Sequence, residues 1–252
     1  MSNVYEQDEL LSQYLLLHYG SAEEVLPYPE GPSAALNYPA RCVRKLLDRA
    51  ALPANARALD AGCAVGRSTF ELAADCRDVL GIDTSVRFID AARTLAEDGS
   101  LSHFRIEEGD IRTPMQFRVP DSLPRSRVRF EIGDACELSG ELGALDVVFC
   151  ANLIDRLPDP RGYLDALPSL IVPGGQLLLA SPFTWMEEFT PREKWIGGTM
   201  KGGKACYSWD VLCDHLQGHF ELKETVDLPF LIREHARKFQ WSVARGGRWI
   251  RR

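Results

Sequence analysis

From Arg57 onward, short apolar runs alternate with stretches whose apolar residues recur at helical spacing. This alternation predicts a parallel, doubly wound α/β sheet. Strands are expected at 57–61, 79–83, 128–132, 145–150 and 176–181, with helices over 67–76, 85–97 and 160–170 between them. The run from Leu145 to Cys150 is almost wholly apolar, as in a strand buried on both faces. Pro173-Gly174-Gly175 is expected to turn into the fifth strand. A helix over 209–217 and two strands near 220–228 and 238–250 complete seven strands, the final pair forming an antiparallel hairpin. Residues 101–127 interrupt the rhythm and are expected to form a hairpin insertion, with a surface loop at Pro120 and Pro124. Ahead of the core, Leu10, Leu11, Tyr14, Leu15 and Leu17–Tyr19 make a broad apolar stripe on a helix over 5–19, ended by Gly20. A proline-rich loop and a helix over 39–51, with Pro39 in its first turn, follow. The chain is therefore expected to be one domain over 1–252. Its parts are a helical cap over 1–52 and a core over 53–252, with an insertion near 101–127 and a substrate loop near 182–207.

Composition narrows the class. At 252 residues and 45% hydrophobic, the chain has material for one substantial core. A net charge of −7 argues against a phosphate-backbone partner, so no nucleic acid is expected. Seven cysteines without a C-x-x-C pair point to free thiols in a reducing compartment. The acidic N-terminus and the absence of a membrane-length apolar run predict a cytoplasmic protein without a membrane partner.

The chemistry concentrates at 57–68, RALDAGCAVGRS, where a strand ends in Asp60 and Gly62 and Gly66 bracket a tight turn into a helix. Such a turn lets a nucleotide-type ligand lie against the backbone at the carboxyl end of a buried strand. The spacing differs from the dinucleotide pattern G-x-G-x-x-G, which disfavours a nicotinamide oxidoreductase. It resembles D-x-G-x-G-x-G, the first motif of the class I S-adenosylmethionine (SAM) methyltransferases, with Ala64 at the middle glycine. That resemblance implies a Rossmann-like fold and SAM as cofactor. It also implies that Gly62 and Gly66 bed the methionine part, and that Asp60 holds the turn's backbone near the ammonium group. Asp83 and Thr84 would then meet the ribose, Asp134 and Ala135 the adenine, and Asn152 the transferring methyl.

A narrower resemblance runs through LLSQYLLLHYG, LDAGCAVGRSTFELA, GIDTSVRFIDAA, CANLIDRLPDP, SPFTWMEEFTPREKWIGG and PFLIREHARKFQ. Together these stretches resemble the methyltransferase domain of ovothiol-biosynthesis enzymes. The resemblance implies methyl transfer to an imidazole nitrogen of 5-sulfanylhistidine (4-mercaptohistidine). In those enzymes an iron-dependent sulfoxide synthase domain precedes the methyltransferase, so a separate sulfoxide synthase is the expected functional partner. For such a substrate, Arg192, Arg233 or Lys194 are candidates for the carboxylate. Glu187 or Glu188 are candidates for the ammonium group, and Tyr38, Phe183 or Trp185 for the ring. Asn152, Glu187 or a tyrosine (Tyr5, Tyr14 or Tyr19) are candidates to accept or orient a proton. No resident metal is expected, and His215 and His219 beside Cys213 read as a solvated helix face. His18, His103 and His235 have no recognisable partner in the sequence. A methyltransferase of another small metabolite and a catalytically silent SAM-binding regulator are the alternative readings.

Overall fold

The structure is a computed structural model that describes residues 4–138 and 142–252. Its centre is a seven-stranded sheet built from β1 (Arg57–Ala61), β2 (Asp78–Asp83), β5 (Val128–Ile132), β6 (Leu145–Ala151), β7 (Ile171–Ser181), β10 (Phe220–His235) and β11 (Lys238–Arg251). Their order across the sheet is β10-β11-β7-β6-β1-β2-β5. The five strands from β7 to β5 pair in parallel, while β11 runs antiparallel to both β7 and β10. Two short hairpins stand apart from it, β3 (Ser100–Glu108) with β4 (Ile111–Arg118), and β8 (Thr199–Lys201) with β9 (Lys204–Cys206). The central runs are buried on both faces because helices cover each side. One side packs α6 (Pro160–Leu170) and α7 (Ser208–Leu216) through Tyr163, Leu167, Leu212 and Trp209, the last against Trp249. The other side packs α3 (Tyr38–Leu46), α4 (Arg67–Ala73) and α5 (Val86–Asp98) through Val43, Leu72 and Phe88.

The N-terminal helix is shorter than its apolar stripe predicts. Residues 4–6 form a 3₁₀ turn, and α1 runs from Asp8 to Tyr19, ending at a Gly20 whose backbone is extended. The 39–51 segment also divides: α3 stops at Leu46, and the Asp48 side chain accepts the Ala50 N–H to start a separate 3₁₀ turn over 49–51. That side-chain bond gives the backbone an alternative to the next helical turn. Pro173-Gly174-Gly175 lies within β7, as an irregularity in its register with β6, and does not precede the strand. β10 extends well past residue 228. Pro229 is tolerated there because β10 is the edge strand. The hairpin β8–β9 in the 182–207 segment was not legible from the sequence.

The insertion forms β3 and β4 and rests on α1 and the far half of β10. Ser12 of α1 donates its hydroxyl to the Phe104 carbonyl, and Ala236 N–H bonds Glu107 O at 3.1 Å. None of the described helices is long and apolar enough to cross a membrane.

Candidate active site

The site lies at the carboxyl ends of the parallel strands, where the β1 turn departs from the sheet. Gly62, Ala64 and Gly66 all have positive φ, at 73°, 47° and 87°. A Cβ at Gly66 would stand 2.5 Å from the Phe130 ring, so no other residue fits. Ala64, at the middle-glycine position, holds the left-handed conformation at a cost of about 1 kcal/mol. Its N–H is pinned by Asp83 Oδ2 at 3.0 Å, and this bond helps hold the strained turn.

Asp60 differs from its expected role. Its Oδ2 accepts the hydroxyls of Ser68 and Thr69, both at 2.7 Å, and the carboxylate also meets the Thr69 N–H, so Asp60 ties β1 to the first turn of α4. Its Oδ1 is buried without a partner among the described residues. Burial pushes this carboxyl up to about 6 against the relief of the two hydroxyls.

Asp83, Thr84, Gly62 and Asp134 with Ala135 line one cavity together with Asn152, Tyr14 and Tyr38. Asp83 Oδ1 also accepts the Ser85 N–H, and burial holds its carboxyl above the ordinary range. Asp134 caps the 3₁₀ turn of 135–137 by accepting the Cys136 N–H at 2.8 Å. Asn152, just past β6, sits at φ 55° and accepts the Tyr38 hydroxyl at 2.7 Å. This pair joins the cap to the strand end. Tyr38 is almost fully buried, and burial keeps its phenol protonated. Tyr14 is likewise pushed up by burial, and packs on Phe88 at 4.8 Å between ring centres.

Two lining residues escaped the sequence reading. His18, one turn beyond Tyr14 on α1, accepts the Arg67 backbone N–H on Nδ1 at 3.3 Å. Burial, with the Arg67 charge nearby, lowers it to about 3, so it is neutral at physiological pH. The helical interval from Tyr14 was its only sequence signal. Arg156, in the 3₁₀ turn of 154–156, is held by the buried Asp155 and by the Thr184 carbonyl at 2.6 Å. Nothing local in LIDRLP distinguishes its role from that of a surface arginine.

The 182–207 segment lies largely elsewhere. Phe183, Trp185, Glu187, Glu188 and Arg192 do not line this cavity. Phe183 packs, half-buried, against the core cluster that α6 covers. Trp185 donates to Ser208 Oγ at 2.8 Å and stacks on Trp195. Glu187 and Arg192 pair with each other at 3.5 Å while 64% exposed, a surface ion pair worth little. Glu188 is exposed, and Lys194 pairs with Asp159 on the surface. The segment meets the cavity wall through Phe189, which packs on Tyr5 and beneath the Arg156 guanidinium at 5.1 Å.

Arg233 is committed to the fold. Its guanidinium is buried, bonding Glu107 Oε2 at 2.7 Å and the Glu24 carbonyl at 2.6 Å, and so clamps the β3–β4 hairpin to β10. Alternation along β10 puts its neighbour Ile232 on the cavity in its place. Tyr19 also turns away from the cavity lining, donating to Val65 O at 2.7 Å. His215 bonds Asp165 at 2.9 Å between α7 and α6, and no described cluster of His, Cys, Asp or Glu is arranged to hold a metal.

Comparison with known proteins agrees with this geometry. Residues 59–177 match the family model of a methyltransferase domain. The chain is 27% identical over 155 residues to the ubiquinone biosynthesis O-methyltransferase of Xanthomonas axonopodis pv. citri, covering 61% of this chain and 53% of that one. It is 30% identical over 144 residues to the trans-aconitate 2-methyltransferase of Methylobacterium radiotolerans, covering 56% and 44%. The chain thus spans about half the length of the curated relatives it matches. Among solved structures it resembles the N-methyltransferase NodS of Bradyrhizobium japonicum, crystallised with S-adenosyl-L-homocysteine (SAH). The TM-score is 0.54 at 17% identity, over 96% of this chain and 98% of that one. A structure solved for conversion of a disulfide into a thioacetal in echinomycin biosynthesis matches at TM-score 0.53 and 21% identity, over 84% and 80%.

The fold is therefore the Rossmann-like fold of the class I methyltransferases, and SAM is the cofactor of that fold. The residues present fit it. Asp60 itself does not line the cavity, but its buried Oδ1 has no partner among the described residues and suits an ammonium group. Gly62, Cys63 and Ala64 of the turn that follows it do line the cavity, as does Ser68, which bonds it. Two further carboxylates stand at the ends of β2 and β5 for polar groups of a nucleoside.

Proposed function

We propose that this chain is a SAM-dependent N-methyltransferase that methylates an imidazole nitrogen of 5-sulfanylhistidine, the reaction that the ovothiol-type stretches imply. One observation supports the choice of nitrogen: among the described residues lining the cavity, no side chain outside the two acids suited to the cofactor is placed to take a proton near neutral pH. His18 is held neutral and its Nδ1 is occupied, and the lining tyrosines stay protonated. Asp83 and Asp134 are the remaining acids of the lining, and both suit the cofactor. A phenol or alcohol acceptor would need a base, whereas a neutral imidazole presents a lone pair without one.

When bound, SAM supplies a methyl group already activated on a sulfonium. The chain's own contribution is to bind, orient and dry the acceptor. Tyr38 occupies the Asn152 carbonyl oxygen, which leaves the amide NH₂ as the end available to a bound group. Phe149, Leu153 and Ile232 give the wall an apolar lining that excludes water. A separate sulfoxide synthase would supply the sulfur-bearing substrate.

Mass spectrometry of the purified chain with SAM and 5-sulfanylhistidine, beside histidine, a catechol and trans-aconitate, tests the proposal. A gain of one methyl on the imidazole of the thiohistidine alone is expected. Methylation of the catechol or of trans-aconitate in its place would overturn the substrate. SAM binding without turnover of any acceptor would favour a silent regulator.

A further inference from the structure

Arg156 is the one cation among the described residues lining the cavity; the other charged side chains there are Asp83 and Asp134. The sheet order separates these groups. Asp83 and Asp134 follow β2 and β5 on one side of β1, whereas Asn152 and Arg156 follow β6 on the other. A nucleoside on the two acids therefore leaves Arg156 with the acceptor, on the side where Tyr38 and Ile232 also stand.

The guanidinium is held but not saturated. A single terminal nitrogen makes the bonds to Thr184 O at 2.6 Å, Asp155 O at 2.9 Å and Asp155 Oδ2 at 3.1 Å. Asp155 in turn is shared, its two oxygens also accepting Ser181 Oγ at 3.0 Å and the Thr184 N–H at 2.8 Å. The other two guanidinium nitrogens make no hydrogen bond to a carboxylate or carbonyl of the described residues, and the Tyr5 hydroxyl hydrogen-bonds the Arg156 side chain. Phe189 packs against the guanidinium face and limits its swing. A planar donor fixed along one edge and open along another suits a two-oxygen anion.

We infer that Arg156, with the Tyr5 hydroxyl beside it, is the receptor for a carboxylate on the acceptor, and that the enzyme thereby selects acids over their uncharged or cationic analogues. This rests on the proposed methyl transfer and assigns to Arg156 the grip that Arg192 and Arg233 do not provide. The sulfur of a thiohistidine is not the group held, because a thiolate offers one atom where the site presents paired donors.

The test compares 5-sulfanylhistidine with 5-sulfanylhistamine, which keeps ring and sulfur but lacks the carboxylate, in wild type, R156Q and R156K. The ratio of kcat/KM for acid over amine is expected to be about ten to a hundred in wild type, as for a hydrogen-bonded charge. It should fall to about one in R156Q and be partly restored in R156K, with SAH affinity unchanged throughout. If Arg156 only braces the Thr184–Phe189 loop, R156Q lowers both substrates together and leaves the ratio intact, which overturns the assignment. Calorimetric titration of both ligands into SAH-loaded protein separates this from the transfer reaction. Arg156-dependent binding of the acid without methylation would sink the N-methyltransferase proposal and leave the receptor standing. Methylation of both substrates with equal efficiency in wild type would do the reverse, and neither transfer nor Arg156-dependent binding would sink both.

Discussion

Asp60 offers the sharpest physical test of the cofactor site. Its folded carboxyl titrates near 6 against an ordinary 3.8, a difference of about two units. At about 1.4 kcal/mol per unit, ionised Asp60 costs the empty protein about 3 kcal/mol. The sign follows from a raised acid. Below about pH 4 both folded and unfolded chains are protonated and the cost is absent. Between about 4 and 6 the unfolded chain loses its proton first and stability falls, and above 6 the cost is fully present. An ammonium group against the bare Oδ1 reverses this, so binding SAH ionises Asp60 and releases a proton wherever the empty site is protonated. SAH affinity should therefore be level above about pH 7 and weaken towards tenfold per unit below 6. The variant D60N should lose that slope and bind about 10- to 150-fold more weakly at pH 7.5, the value of a charge-assisted hydrogen bond. Without ligand, it should unfold at no lower denaturant concentration than wild type, because the buried charge is gone. Calorimetry from pH 5 to 8, in buffers of differing ionisation enthalpy, reads both affinity and proton release. Equal slopes in wild type and D60N would refute the reasoning, since the titrating group would then lie elsewhere.

Other expectations concern the cap and the clamp. R233A leaves Glu107 paired with Arg105 and Thr113, so losing the Arg233 contact should cost about 1.5–3 kcal/mol in chemical denaturation, the value of a hydrogen bond to a charged group. KM for the acceptor and SAH affinity should stay within about twofold of wild type, and a selective rise in KM would return Arg233 to the substrate site. Y38F deletes the 2.7 Å bond to Asn152 and leaves its amide oxygen unsatisfied, a loss of about 1–3 kcal/mol. That loss should appear in kcat, with SAH affinity unchanged in calorimetry; a change confined to SAH affinity would place the pair on the cofactor.

The parts of the site that were legible in the sequence are those encoded within a few residues. A buried strand must leave the sheet at its carboxyl end, and the acids and glycines that follow β1, β2 and β5 have nowhere else to go. Gly62, Asp83 and Asp134 could be placed on the cavity for that reason, as could Asn152 just past β6, and the seven strands with their antiparallel close came from the same periodicities. Loop and cap side chains carry no such constraint. The stretch TWMEEFTPREK has the residue types of a binding loop, yet Glu187 and Arg192 pair with each other in solvent and Lys194 pairs with Asp159, while Phe189 meets the cavity wall. Arg233 points into an ion-pair clamp because the hairpin inserted more than a hundred residues earlier places Glu107 beside it. The same long-range packing brings His18 of α1 against the Arg67 amide and Tyr38 of α3 onto Asn152. The sequence by itself determined the succession of strands and helices along the chain and the turns at the strand ends, because hydrophobic period and backbone turn are local. Only the tertiary structure decided which cationic and aromatic side chains line the cavity, because each is positioned by a partner far away along the chain.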